Sequence, residues 1–171
     1  PGRVVTTGRQ SRTLIVIARD AYLLRAGTRF EVRGQPESRG ADGRVREAIV
    51  DTLHILNGAV LAVFGNGTKR IEMPTAVLGI RGTGVYVEAA ADRAYICTCY
   101  GNTEVSARAD SSVRETIRSL HHEAPRYVIG GPAPRIEKAP VRNHTDAELI
   151  LLEELVGREP PFVGQFHESS Y

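Results

Sequence analysis

Residues 49–67 read IVDTLHILNGAVLAVFGNG. Two short runs rich in β-branched and aliphatic residues, Ile49–Leu56 and Ala59–Phe64, are separated by Asn57-Gly58, and Gly65-Asn66-Gly67 closes the second. Short apolar runs bounded by residues that tolerate positive φ are the pattern of β-strands joined by tight hairpins. Outward from this stretch the pattern repeats in Thr13–Ala18 (TLIVIA), Thr28–Arg33 (TRFEVR) and Val85–Ala89 (VYVEA), and Gly101-Asn102 supplies a further turn. Strand segments spaced by roughly ten residues, with no helical pattern between them, predict an all-β fold: a sandwich, a barrel or a stack of sheets. The polar insert Gly34–Arg44 (GQPESRGADGR) is expected to form a long, exposed, mobile hairpin loop.

Composition narrows the function classes. The chain has 171 residues, 42% hydrophobic and 25% charged, which is ordinary globular usage and enough to bury a core. Lys and Arg number 22 against 20 Asp and Glu, scattered among one another. A nucleic-acid binder would gather its basic residues in a stripe with aromatics, so nucleic acid is not an expected partner. One Met and no Trp leave no Met-rich groove for promiscuous helix binding. No stretch approaches the roughly 18 apolar residues that cross a bilayer as a helix. The opening PGRVVTTG resembles the middle of a β-domain rather than a leader, so an upstream strand or leader is expected to have been removed.

After Asp110 the character changes. Residues 113–129 (VRETIRSLHHEAPRYVI) read as one or two strands broken at Pro125, and Gly130–Pro140 (GGPAPRIEKAP) as an extended linker. In NHTDAELILLEELVGREPPF, Thr145 and Glu148 form a capping box, Asp146 and Glu148 suit the positive end of the helix dipole, and Gly157 terminates. This predicts a helix over 146–156 that packs through Leu149, Leu152, Leu155 and Val156, with Glu153 and Glu154 solvated. Residues 158–171 are expected to be an extended tail pinned by Phe162 and Phe166. The expected organisation is therefore a β-domain over 1–110 and an extension over 111–171.

The segment MPTAVLGIRGTGVYVE (Met73–Glu88) resembles the core signature of the FecR domain family, the extracytoplasmic domain of iron-dicitrate-type sigma regulators. The match lies in Pro74-Thr75-Ala76, Arg81-Gly82-Thr83 and the alternating strand Val85–Glu88. TGRQSRTLIVIARDAYLLRAGTRFEV is similar to the family's opening strands, LHILNGAVLAVF to its central hairpin, and CTCYGNTEV to a strand, turn and return strand. The resemblance spans residues 2–107. It implies an all-β, non-enzymatic domain outside the cytoplasm, periplasmic or secreted, working through a protein partner or as an accessory subunit of a larger assembly. The cysteines, the histidine pair and the capped helix are not part of that pattern, and the sequence is expected to be a stand-alone secreted or periplasmic member rather than a full sigma regulator. Independently of the family, Gly79, Gly82 and Gly84 suit bulges or close backbone approach, and Arg81 can donate to nearby carbonyls.

The only two cysteines stand in AYICTCYGN (residues 94–102). On a strand, Cys97 and Cys99 share a face with Tyr95, while Ile96, Thr98 and Tyr100 take the other. A hairpin at Gly101-Asn102 would set Cys99 opposite Glu104 and Cys97 opposite Ser106. Same-face thiols with an imidazole from His121 or His122 make a soft N/S site for zinc, copper or an iron centre. Adjacent histidines on a strand point opposite ways, so one ligates unless the chain bends, as Pro125 allows. His144, ahead of the helix, is a third candidate, and Arg126 or Glu123 could support the ligands from outside. Three alternatives stand beside the metal site: a Cys97–Cys99 disulfide, two buried hydrophobes with surface histidines, and a thiol redox or nucleophilic cysteine. His54 and His167 read as ordinary residues. The expected function is binding or interaction without catalysis, with metal held by Cys97, Cys99 and His121 or His122, or a FecR-type interaction module without metal.

Overall fold

The computed structural model describes residues 3–39 and 45–164. Among the described residues the fold is all-β with a single short helix, as the strand spacing predicts. Eleven strands among the described residues are hydrogen-bonded into one mixed sheet. β1 (Arg3–Thr6) lies against β4 (Arg29–Arg39), and β2 (Thr13–Ile17) forms a hairpin with β3 (Asp20–Leu24). β5 (Val45–Val63), β7 (Ala76–Ala89) and β8 (Arg93–Ala107) are long and adjacent, with β6 (Thr68–Glu72) filling one end between β5 and β7. β9 (Arg114–Ser119) and β10 (Arg126–Ile129) pair with the two halves of β8, and β11 (Arg135–Lys138) pairs with β10.

Two expected hairpin turns are bends inside continuous strands. Asn57-Gly58 lies within β5 and Gly101-Asn102 within β8. Positive φ serves a turn or a bulge equally well, and here Gly58 (φ 91°) and Gly101 (φ 91°) serve bulges. Each bulge is closed by a buried threonine on a neighbouring segment. Thr28 exchanges hydrogen bonds with Ala59, its hydroxyl 3.1 Å from the carbonyl and 3.0 Å from the amide. Thr83, from the Arg81-Gly82-Thr83 segment, accepts the Asn102 amide at 3.2 Å. The bends let each long strand serve two sets of neighbours: residues 52–54 of β5 pair with β6, residues 58–63 with β3 and β7. Gly65-Asn66-Gly67 does turn the chain, but it joins β5 to β6, which run parallel. Buried Asp20 ties this turn down by accepting the Gly65 amide at 2.9 Å and pairing with Lys69 at 3.3 Å.

The polar insert is more regular than expected: residues 34–39 continue β4, paired with β5 from Val45 onward. Its remaining residues, 40–44, lie outside the described part, as do Phe166 and His167. The linker 130–140 is likewise not a plain extended segment, because residues 135–138 return as β11.

The sheet buries both faces where β3, β5, β7 and β8 lie side by side. Tyr22, Leu24, Val60, Ala62, Val85, Val87 and Ile96 point into the main core. The alternate residues Ala21, Leu23, Leu61, Val63, Tyr86, Tyr95 and Cys97 form a second cluster with Leu149, Leu152 and Phe162. This is why β3 is buried at every residue instead of alternating. The second face is covered by α1 (Asp146–Glu154), which starts at Thr145 with the expected capping box. Its packing face differs from the expected one. Leu149 and Leu152 are buried, but Leu155 is 45% exposed and Glu153 only 3%. Glu153 is buried because it receives the Tyr100 hydroxyl and the Arg158 guanidinium, the latter at 2.6 Å. Phe162 packs against Tyr100, and the chain that carries it turns over 161–164 instead of running as the extended tail expected there.

Candidate metal centre

The centre is assembled from three segments. The first is β8. Between the pairs Gly84–Tyr100 and Val85–Thr98 the ladder skips one residue, and that extra residue is Cys99. The bulge rotates the strand so that Tyr100 joins Cys97 and Cys99 on the helix-facing side, where an ideal strand would have sent it to the other. Cys97 pairs with Tyr86, and Glu104 lies far down the strand opposite Gly79, so the expected grouping of the thiols with Glu104 and Ser106 does not form. Both cysteines are fully buried and free, which sets the disulfide alternative aside.

The second segment is the connection between β9 and β10. His122 takes a left-handed conformation (φ 57°), and its amide donates to the Cys99 carbonyl at 2.9 Å. The turn is closed by Glu123, whose carboxylate accepts the Leu120 amide and whose own amide donates to Ser119. The bend brings both histidine rings toward the helix. Arg126, expected near the site, instead pairs with Glu115 at 2.6 Å.

The third segment leads into α1. Glu88 anchors it by accepting from Arg142, Asn143 and the Tyr86 hydroxyl, and the Arg142 and Asn143 bonds hold its carboxyl below the usual range against the opposing effect of burial. His144 follows, stacked on Tyr86 with ring centroids 4.6 Å apart. Asp146 stands in the first helical turn.

Cys97 Sγ, Cys99 Sγ and one nitrogen each of His122 and His144 all lie within 4.8 Å of one another. Cys97 Sγ is 3.5 Å from His122 Nδ1, which is 3.0 Å from His144 Nε2. A tetrahedral ion with bonds of about 2.0–2.3 Å needs ligand separations of about 3.3–3.8 Å, so the Cys97–His122 spacing already fits, the two ring nitrogens must open by a few tenths of an ångström, and the widest pairs must close by about 1 Å. His121 lies outside this set. It joins His122 around Asp146, with Nε2 2.9 Å from Oδ2, while His122 Nε2 is 2.9 Å from Oδ1. Of the four residues the sequence singles out most strongly, Cys97, Cys99 and His122 converge; the fourth position is taken by His144, the third histidine candidate. Asp146 carries only a helix-dipole signal in the sequence, and nothing local links it to a histidine 24 residues away.

The acceptors around the two rings fix which nitrogens carry hydrogen. His144 Nδ1 lies 2.7 Å from the Arg142 carbonyl, which can only accept, so that nitrogen carries the hydrogen. His122 Nε2 faces the Asp146 carboxylate and donates likewise. In neutral rings the remaining nitrogens, His122 Nδ1 and His144 Nε2, then point lone pairs at one another beside two thiols. A proton or a metal cation must lie among them. The electrostatics favour a positive charge among these groups. The Cys97 thiol is held well below its usual range by the Cys99 hydrogen bond first, then by His122 and His144, despite burial. Cys99 is pushed up by burial and by its neighbour. Burial works to lower His122, but Cys97 and Asp146 outweigh it and raise the imidazole. Asp146 is lowered by both histidines in spite of its own desolvation.

No family model and no curated protein matches the chain. Among solved structures, two crystal structures of provisionally assigned anti-sigma factors from Parabacteroides distasonis share the fold. One superposes with a TM-score of 0.60 at 10% identity over 81% of this chain, the other with 0.58 at 12% identity over 80%. The chain spans 60% and 59% of the length of those two neighbours. At this identity the likeness concerns the fold alone.

Proposed function

We propose that this chain is a non-enzymatic, extracytoplasmic interaction module of the anti-sigma type that holds one zinc ion through Cys97, Cys99, His122 and His144. The observation that carries the metal is the convergence of two imidazole lone pairs and two buried thiols on one space, with the opposite nitrogen of each ring already committed to an oxygen. Two thiolates and two imidazoles suit zinc, with copper the closest competitor. Four protein ligands leave no open coordination position for substrate, which supports a structural or regulatory ion rather than a catalytic one. The fold shared with anti-sigma factors supports a protein partner as the target of the module.

The test is elemental analysis of protein purified without chelator. About one zinc per chain is expected, lost in Cys97→Ser and in His144→Asn and kept in His121→Asn. Absence of any transition metal, with both thiols confirmed free by mass, would overturn the metal and leave an interaction module alone.

A further inference from the structure

The ligands of the proposed centre come from three separate parts of the chain. Cys97 and Cys99 belong to the sheet, His122 to a sheet connection, and His144 to the approach to α1. The helix itself has nine residues and buries two leucines, Leu149 and Leu152. A helix of that length is not stable alone in water, so it exists only while docked. Beneath it lies the second apolar face of the sheet, made by Ala21, Leu23, Leu61, Val63 and Tyr86. Without the ion, His122 Nδ1 and His144 Nε2, 3.0 Å apart, are joined by one shared proton at the very point where the helix begins, a single hydrogen bond in place of four metal–ligand bonds.

We infer, resting on the metal reading above, that the ion is a clasp: it locks the segment 143–164 onto the sheet, and its removal frees that segment and uncovers the apolar face of β3, β5 and β7. The residues around the centre are arranged for such coupling. Asp146 belongs to the helix, yet its carboxylate holds His121 and His122 from the other side of the site. Phe162, at the far end of the segment, lies against the His121 ring with centroids 4.6 Å apart. The segment thus flanks the centre at both ends. By linkage, whatever factor the ion adds to docking of the helix, docking adds to affinity for the ion. A partner that displaced α1 would therefore release the metal, and loss of the metal would offer the face to a partner.

Hydrogen exchange read by mass spectrometry tests this on the full chain, prepared metal-free under reductant and then reloaded with Zn²⁺, with bound zinc measured on the same samples. Zinc loading is expected to slow exchange across 146–157 by about tenfold or more, while β5 and β7 change little. Trypsin, whose sites at Arg142 and Arg158 bracket the helix, should cut there correspondingly faster in the metal-free form. If zinc binds and helix protection is the same in both forms, the clasp is overturned and the metal site survives. If zinc removal lowers protection uniformly through the sheet, the clasp is also overturned, since the ion would then hold the entire fold. If no zinc binds, both readings fall.

Discussion

Arg25 grips Glu148 with both terminal guanidinium nitrogens, at 2.6 and 2.7 Å, joining the end of β3 to the first turn of α1 across 123 residues of sequence. Neither side chain is more than 20% exposed, and Glu148 simultaneously accepts the Thr145 amide as part of the capping box. Charge-assisted, bidentate and half-shielded, this pair belongs to the stronger class of surface contacts. Arg25→Ala is expected to destabilise the docked helix by about 1–2 kcal/mol, read as faster exchange over 146–157 with the sheet unchanged.

The same pair sets an acid limit. The Arg25 hydrogen bond, against the raising effect of burial, holds the Glu148 carboxyl below the usual glutamate range. A carboxyl lowered in the folded state binds fewer protons there than in the unfolded chain, so its contribution is complete above the free value of about 4.3. It is lost as pH falls through the lower folded value. Thermal melts of the wild type should therefore show a drop below about pH 4 that is shallower in Glu148→Gln. An identical acid slope in that variant would show that the pair adds nothing.

Gly101 and Gly67 both have positive φ, 91° and 115°, but only one is crowded. A Cβ on Gly101 would meet Thr83 Oγ1 at 2.7 Å and the Gly82 carbonyl at 2.8 Å, whereas a Cβ on Gly67 meets nothing within 4 Å. Gly67→Ala should cost about 1–2 kcal/mol from backbone strain alone. Gly101→Ala must also push apart the β7–β8 bulge and should cost about 3–4 kcal/mol. Urea midpoints for the two variants compare these directly.

These glycines also mark where the sequence stops being readable. Alternation and β-branched runs place the strands, and Thr145 with Glu148 places the helix, because those signals act between residues a few positions apart. Whether Gly58 and Gly101 turn a hairpin or bend a strand depends on what lies opposite, Thr28 and Thr83, and nothing local announces that. The site divides the same way. Cys97 and Cys99 share a face because two residues on a strand do, and His122 and His144 are visible as candidates. That His144 rather than His121 completes the set follows from the left-handed turn at His122 and from the Glu88 anchor on Arg142 and Asn143. Glu153 reads as solvated from helical periodicity, and it is buried because Tyr100 and Arg158 reach it from distant positions.

Four tyrosines set the alkaline limit. Burial raises the phenols of Tyr22, Tyr86, Tyr95 and Tyr100, helped respectively by Asp20, Glu88, Cys97 and Glu153. A group with a raised folded value gives its full contribution below the unfolded value, about 10 for tyrosine, and loses it as pH rises toward the folded one. Stability should therefore fall steadily above about pH 10. In a spectrophotometric titration the phenolate absorbance of these four should emerge together with loss of the near-ultraviolet circular dichroism. Phenolate appearing from all tyrosines while that signal is intact would contradict the burial.

Asp146→Asn separates the support of the ligands from the ligands themselves. The carboxylate accepts from Nε2 of His122 and thereby leaves Nδ1 as the nitrogen that faces Cys97 and His144. An amide at this position is nearly the same size, but it can present an N–H to the ring and no longer fixes the tautomer. Outer partners of this kind typically change metal affinity by about 10–100-fold. The variant is expected to bind zinc with the same stoichiometry and an affinity lower by about that factor, measured by competition with a chromophoric chelator. His121→Asn, which removes the other imidazole on Asp146, should change affinity much less, because His121 contributes no nitrogen to the four-atom set. Equal losses in the two variants would mean that Asp146 acts by holding the helix start in place rather than by orienting the His122 ring.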